Sequence, residues 1–67
     1  MRIKELRQAA GVTQQALAEQ LHVDRSAVAY WENGTAMPKA ALLPALADAL
    51  GCTIDALFGR GEETEVS

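Results

Sequence analysis

Apolar residues recur along this chain at intervals of three and four, the spacing that places side chains on one face of an α-helix. Ile3, Leu6 and Ala10 form the first such face, and Gly11 follows it. The segment 34–38 shows no period and predicts a loop. The pattern predicts five helices, over residues 2–10, 14–21, 25–32, about 40–50 and 54–58. Ala and Leu dominate the apolar residues and only three residues are aromatic, so the predicted fold class is all-α.

Short polar residues stand where three of these helices should begin. Thr13, Asp24 and Thr53 each precede a predicted helix, and a side-chain oxygen there accepts a hydrogen bond from a backbone N–H that the helix leaves unpaired. The charge of Asp24 also suits the positive end of a helix. Asn33 and Gly34 predict the end of the third helix, because glycine readily takes the left-handed conformation.

The run from residue 13 to residue 34 is the most specific pattern in the chain. It predicts two short amphipathic helices joined by a tight turn, with Ala18 where the two backbones approach closely. An apolar stripe packs the pair onto the rest of the domain. Its residues are Leu17, Leu21, Val23, Val28 and Trp31. A helix-turn-helix whose second helix keeps a polar outer face typically reads the major groove of duplex DNA.

These segments resemble the lambda-repressor and Cro-like family of helix-turn-helix regulators, also called the xenobiotic-response-element (XRE) family. The resemblance rests on Gly11, Thr13 and Gln14, LAEQL at 17–21, WENG at 31–34, LADALG at 46–51, and Asp55 with Leu57. It covers roughly residues 2–59. It implies a compact five-helix DNA-binding domain over residues 1–59, and the charged residues 60–67 are expected to form a flexible acidic tail.

Two positions depart from the family pattern, and a proline affects the start of the fourth helix. His22 stands at the turn where the family usually has glycine, so a positive φ is expected there, which histidine tolerates better than most residues. Lys39 stands where the family often has serine or threonine opening the fourth helix, which is therefore weakly capped or starts late. Pro44 lies inside that helix and removes one backbone hydrogen bond. We therefore expect a kink or a delayed start near Leu42.

The resemblance places the base-contacting residues on the third helix. They are Arg25, Ser26 and Tyr30, with Ala27 and Ala29 as lesser candidates. Arg25 can donate two parallel hydrogen bonds to guanine O6 and N7. Otherwise it is a solvated arginine, or it forms an ion pair with Asp24 or with a neighbouring chain. Ser26 both donates and accepts, so it discriminates less between bases. Tyr30 either contacts a thymine methyl or a phosphate, or packs beside Trp31.

The resemblance also implies two groups of phosphate contacts. Gln14 opens the second helix, where backbone N–H groups and the helix dipole favour a phosphate; the alternative is a solvated helix start. The second group follows the third helix and consists of Asn33, Gly34, Thr35 and Lys39. The alternative role of Asn33 is that of a helix C-cap. Such contacts set register and affinity without carrying sequence information.

Arg7 and Glu32 are expected to be structural. Arg7 shares a helix face with Ile3, so it points partly toward the core, and Glu32 is next to Trp31. In the family, the matching positions form a partly buried ion pair that joins the first helix to the end of the third. A bidentate contact between arginine and carboxylate suits such a pair.

The formal net charge of −3 argues mildly against a nucleic-acid partner, for which a basic surface is expected. Residues 60–67 carry three glutamates and one arginine, so the rest of the chain holds five Lys or Arg and six Asp or Glu, a net charge of −1. Arg25 and Lys39 lie on the expected DNA side, whereas the last two helices carry acidic residues. This distribution predicts modest nonspecific affinity and a need for dimeric binding.

Size and hydropathy limit the class of protein further. The 67 residues allow one domain, and at this size only about 60% of the unfolded surface is buried, so dimerisation would add stability. No apolar run approaches the length of a membrane span, and no signal-peptide pattern follows Met1. The chain is therefore expected to be soluble and to stay inside the cell. The resemblance implies the cytoplasm of a prokaryotic or phage-type system, in association with the nucleoid.

The sequence carries no recognisable catalytic or metal-binding motif. Cys52 cannot form an internal disulfide and is interpreted as a small buried hydrophobe rather than a redox site. One histidine, His22, and one cysteine give no metal-ligand spacing, and no nucleophile–base pair or glycine-rich phosphate loop is present. We therefore expect no cofactor, no metal, no small-molecule substrate and no enzymatic activity.

Three functional hypotheses remain. The first is a sequence-specific transcriptional regulator, expected to be a repressor, which binds a palindromic operator as a homodimer with its third helices in successive major grooves about 34 Å apart. The resemblance places the dimer contact at Ala56 and Phe58; an exposed Phe58 favours it, whereas a buried Phe58 completes the core. The second is an antirepressor-like or antitoxin-like module with little or no DNA binding, which the acidic balance slightly favours. The third is the DNA-binding head of a longer regulator, although Met1 and the acidic tail favour a free-standing protein.

Overall fold

Residues 1–59, which the computed structural model describes, form five short α-helices and one turn of 3₁₀ helix. The bounds are α1 Ile3–Ala10, α2 Gln14–Leu21, α3 Arg25–Asn33, α4 Leu43–Leu50 and α5 Ile54–Leu57, with the 3₁₀ turn at Ala40–Leu42. The predicted all-α class is confirmed. Every helix except α4 lies within one residue of its predicted bounds. The expected flexible tail, residues 60–67, lies outside the described residues.

A single apolar core joins the five helices. Its buried residues are Ile3, Leu17, Ala18, Leu21, Val28, Trp31, Leu46, Ala47, Leu50 and Leu57. Contacts are most numerous between α2 and α3, where Ala18 is buried as the close approach of the two helices requires. Because Val28 and Trp31 are buried on one side of α3, the residues on its other side face outward.

The turn between α2 and α3 is built on a left-handed residue. His22 has φ 60° and ψ 43°, so the positive φ expected from its place in the sequence is confirmed. Its backbone N–H donates to the Glu19 carbonyl at 3.3 Å, and the Val23 N–H donates to the Ala18 carbonyl at 3.0 Å. This pair of bonds closes the helix end and sets the direction in which α3 leaves the turn.

Two of the three expected helix caps form, and one does not. The Thr13 hydroxyl accepts from the Ala16 N–H at 3.0 Å, and the Thr53 hydroxyl accepts from the Ala56 N–H at 3.0 Å. The prediction for Asp24 was wrong, because its side chain makes no capping hydrogen bond. The Ala27 N–H, which a capping side chain would take, instead donates to the Asp24 carbonyl at 3.0 Å.

The fourth helix starts late, as its proline predicted. A 3₁₀ turn at Ala40–Leu42 comes first, and Lys39 makes no side-chain cap there. α4 then begins at Leu43 with Pro44 in its first turn. A proline in that turn costs no internal hydrogen bond, because the first N–H groups of a helix have no partner within it. The delayed start, rather than a kink, is therefore the outcome.

Candidate nucleic-acid interface

The outer face of α3 carries the residues expected to contact bases. Arg25 and Ser26 are exposed in its first turn, and Tyr30 is 49% exposed one turn later. The two lesser candidates, Ala27 and Ala29, are half-buried, so each offers only part of a methyl group to this face. The exposed side chains thus form a short stripe that begins at the N-terminal end of the helix.

Arg25 has no internal partner within the described residues. Among residues 1–59 its guanidinium has no hydrogen bond or ion pair, and Asp24, the proposed alternative partner, does not pair with it. A guanidinium presents five N–H donors in a fixed planar arrangement. All of these donors are available to a ligand outside the domain.

Near the C-terminal end of α3 lies a charged pair with very different surroundings. Arg7 Nε donates to Glu32 Oε2 at 2.6 Å, and Arg7 Nη2 donates to Glu32 Oε1 at 3.3 Å. The two side chains are only 12% and 5% exposed. Arg7 Nη1 also donates to the Val12 carbonyl at 2.8 Å, so the arginine ties α1 to the loop before α2 as well as to α3.

Gln14 joins this pair, a contact that the sequence pattern did not indicate. Its amide Nε2 donates to Glu32 Oε1 at 2.9 Å, although eighteen residues separate the two in the chain. The amide nitrogen carries a second N–H, so Gln14 can still donate to a phosphate. The bond to Glu32 fixes where that second donor points.

The surroundings of Glu32 keep it ionised. Burial by itself would raise the pKa of this carboxyl, but hydrogen bonds from Arg7 and Gln14 and the positive charges of Arg7 and Lys4 outweigh it. The net result is a pKa below the ordinary value for glutamate. The carboxylate therefore accepts three hydrogen bonds, and its charge is balanced within the domain.

A concavity of about 350 Å³ opens beside this network. Its lining residues are Lys4, Gln14, Ala29, Glu32 and Asn33. The structure thus brings Gln14 and Asn33, which were assigned to separate phosphate contacts, to one depression. Asn33 Oδ1 accepts from the Thr35 N–H at 2.8 Å, so its amide nitrogen is the atom left to donate outward. Lys4 was missed because its position on α1 carries no motif.

The remaining residues of the second phosphate group lie in the loop after α3. The Thr35 and Ala36 N–H groups both donate to the Tyr30 carbonyl, at 2.9 and 3.3 Å, which folds the loop back against the helix end. Gly34 ends α3 with φ 86°, a conformation that a side chain would oppose. Gly34, Thr35 and Lys39 are all exposed.

A second exposed surface lies at α5, away from these contacts in the chain. Phe58 is 46% exposed and Ile54 is 38% exposed, while Ala56 is half-buried. Leu57 is fully buried and anchors this short helix to the core. The exposure of Phe58 is the state that favours the dimer hypothesis.

Cys52 is a free thiol that lies partly buried in the described part of the chain. Cys52 packs against the core, and burial raises the pKa of its thiol, which keeps it protonated. No group of three His, Cys, Asp or Glu residues in positions 1–59 is arranged to hold a metal ion. Across the same residues, no helix combines the length and apolar character needed to cross a bilayer.

Comparison with known proteins agrees with this geometry. A helix-turn-helix family model matches residues 3–57. The chain is 39% identical over 62 residues to a protein described as an HTH-type transcriptional activator, BcrR, from Enterococcus faecalis. That match covers 92% of this chain but only 30% of the relative's length. No solved structure gave a significant match.

Proposed function

Because this chain belongs to the helix-turn-helix family of lambda-repressor-like, XRE-type regulators, we propose that it binds duplex DNA sequence-specifically and regulates transcription. The observation that carries the proposal is the outer face of α3. Arg25, Ser26 and Tyr30 are exposed there, and Arg25 has no partner within residues 1–59. A helix of this kind enters the major groove and contacts base edges mainly from its N-terminal half.

Each exposed residue of α3 has a distinct role in this proposal. Arg25 donates two parallel hydrogen bonds to a guanine, which is worth about 1–3 kcal/mol of discrimination against other bases. Ser26 donates to or accepts from a neighbouring base. Tyr30 packs on a thymine methyl or donates to a phosphate, while Ala27 and Ala29 make lesser contacts with the bases.

Phosphate contacts on both sides of α3 position it in the groove. Gln14 and Asn33 face the concavity beside the Glu32 network, and Gly34, Thr35 and Lys39 provide exposed groups in the following loop. Contacts of this class set register and add affinity for any sequence. Their number determines how steeply binding falls with salt.

The proposal includes a homodimer formed through α5. Phe58 and Ile54 expose apolar surface there, and Ala56 lies between them in the chain. Two copies related by a two-fold axis would place their α3 helices in successive major grooves about 34 Å apart, which requires a palindromic operator. Phe58→Glu should leave a monomer in sedimentation equilibrium if this surface forms the contact.

The proposal also includes the direction of regulation. We propose repression, in which the bound dimer occupies a promoter in the cytoplasm, although the similar protein from Enterococcus faecalis is described as an activator. A reporter gene whose promoter overlaps the selected operator would decide the matter. Lower expression in the presence of the chain indicates repression, and higher expression indicates activation.

The proposal is tested by selecting bound duplexes from a random pool and then measuring affinity against salt. We expect recovery of a palindrome that contains guanine in each half-site, and a log–log salt dependence with a slope of several units. Absence of retention on any duplex at low salt would contradict the proposal. That outcome would instead favour a protein-interaction module with the same fold, which the net charge of −3 would suit.

A further inference from the structure

We propose that Lys4, on α1, is a phosphate-binding residue that supplies the cation of the concavity between α1, the start of α2 and the end of α3. The ligand is a phosphodiester of the duplex DNA backbone. This inference rests on the proposed function and adds to it a residue from a helix that the helix-turn-helix pattern does not include.

The lining of the concavity is polar, and one of its charged side chains, Lys4, has no partner within residues 1–59. Four of its five lining residues carry polar side chains. Glu32 is one of them, but its side chain is 5% exposed and both its oxygens are occupied by Arg7 and Gln14. Within residues 1–59, Lys4 itself forms no ion pair or hydrogen bond.

The charge balance around the concavity favours an anion. Arg7 and Glu32 neutralise each other through two hydrogen bonds, so the positive charge that remains at the lining is that of Lys4. Its side chain is exposed, yet its charge is close enough to contribute to lowering the pKa of Glu32. Lys4 therefore faces the same space as the carboxylate without being paired to it.

The neutral donors around Lys4 complete the site for a phosphate. Gln14 has one amide N–H left after its bond to Glu32, and Asn33 has its amide nitrogen left because Oδ1 accepts from Thr35. A lysine with two amides offers a point charge and directed donors, which suits the oxygens of a phosphodiester. The site reads no base, so its contribution is the same for every sequence.

The experiment compares Lys4→Gln with Gln20→Glu and Lys4→Arg in the whole chain, using a 25-base-pair duplex from the selection and a scrambled duplex of equal length. Lys4→Gln and Gln20→Glu both lower the net charge by one. Gln20 is exposed at the opposite end of α2 from Gln14, so Gln20→Glu is a matched control for charge.

We expect Lys4→Gln to weaken binding to both duplexes by the same factor and to lower the log–log salt slope by about one. Gln20→Glu should leave the slope unchanged, and Lys4→Arg should keep it near that of the parent chain. Because Lys4 is exposed and forms no hydrogen bond or ion pair within residues 1–59, the urea midpoint of Lys4→Gln should lie close to that of the parent.

Three results would overturn the inference. A slope and affinity for Lys4→Gln equal to those of Gln20→Glu would show that Lys4 contacts no phosphate, while the parent chain's own slope would leave the proposed function standing. Equal losses in Lys4→Gln and Lys4→Arg would show that side-chain shape matters rather than charge. No retention of the parent chain on either duplex would remove the proposed function and this inference together.

Discussion

The two ends of α3 treat charge in opposite ways. At the C-terminal end, the Glu32 carboxylate is 5% exposed and accepts hydrogen bonds from Arg7 and Gln14. At the N-terminal end, Arg25 is exposed and has no partner within the described residues. The comparison separates polar groups that hold the domain in one geometry from polar groups that remain available to a ligand.

The hydrogen-bond network of Arg7, Gln14 and Glu32 follows from the cost of burying charge. A buried ion is expensive unless its partner and its remaining hydrogen bonds are both supplied. Here no buried side-chain nitrogen or oxygen in residues 1–59 lacks a partner. The network connects α1, the start of α2 and α3, so it fixes the orientation from which the outer face of α3 is presented.

The largest effect is expected on the free energy of unfolding when the Arg7–Glu32 pair is removed. Glu32→Ala leaves the Arg7 guanidinium semi-buried without its carboxylate, and the free energy of unfolding should fall by about 3–5 kcal/mol. Urea denaturation followed by circular dichroism measures it. Glu19→Ala is the control, because Glu19 forms an exposed side-chain bond with Gln15 and should change stability by less than about 1 kcal/mol. A loss below about 0.5 kcal/mol for Glu32→Ala would contradict the structural role of the Arg7–Glu32 pair.

The next largest effect is expected on base discrimination when Arg25, at the N-terminal end of α3, is replaced. Arg25→Ala should leave the urea midpoint unchanged within about 0.5 kcal/mol but reduce discrimination for the guanine of the operator by about 1–3 kcal/mol. Competition binding with operator and guanine-substituted duplexes measures the change. Arg25→Lys keeps the charge without the planar pair of donors, so it should lose discrimination as well. Full discrimination in either variant would assign base recognition elsewhere.

A smaller loss of stability is expected when the pH is lowered. The pKa of Glu32 lies below its ordinary value, so the folded state binds this proton less readily than the unfolded state. The stabilisation is fully present above the unfolded pKa of about 4.3 and is lost as the pH falls through the folded pKa. Urea midpoints from pH 7 to pH 2 for the parent and Glu32→Gln should converge in the acid range. A constant difference would show that another group causes the acid sensitivity.

The smallest effect is expected at His22 in the turn, where a substitution changes neither the Glu32 network nor Arg25. His22→Gly relieves the positive φ of His22 and should raise the free energy of unfolding by up to about 1 kcal/mol. Gln20→Gly, two residues earlier and within α2, should lower it by about 1 kcal/mol, because glycine is unfavourable inside a helix. Thermal melts with duplex-binding assays measure both. A destabilised His22→Gly would mean that the imidazole itself supports the turn.

Most of the fold could be predicted because its signals are local. Apolar spacing located all five helices, Thr13 and Thr53 located two of their starts, and Pro44 located the late start of α4. Asp24 was misjudged for a reason that is also local: the backbone closed its own bond from Ala27 to Asp24. Two acceptors can compete for one N–H, and residue type alone does not rank them.

The site was predicted less completely, because parts of it depend on distant residues. The stripe of Arg25, Ser26 and Tyr30 follows from helical spacing within one segment. Gln14 bonding to Glu32, and Lys4 lying beside Gln14 and Asn33, involve residues from three helices. No spacing in the sequence encodes those distances.

The sequence by itself determined which segments are helical, where most of them end, and which helix carries the polar outer face, since each depends on residues within about two helical turns. Only the tertiary structure decided which polar groups are used up internally and which remain available. That outcome depends on the angles at which α1, α2 and α3 pack, and those angles result from core contacts and buried hydrogen bonds across the whole domain.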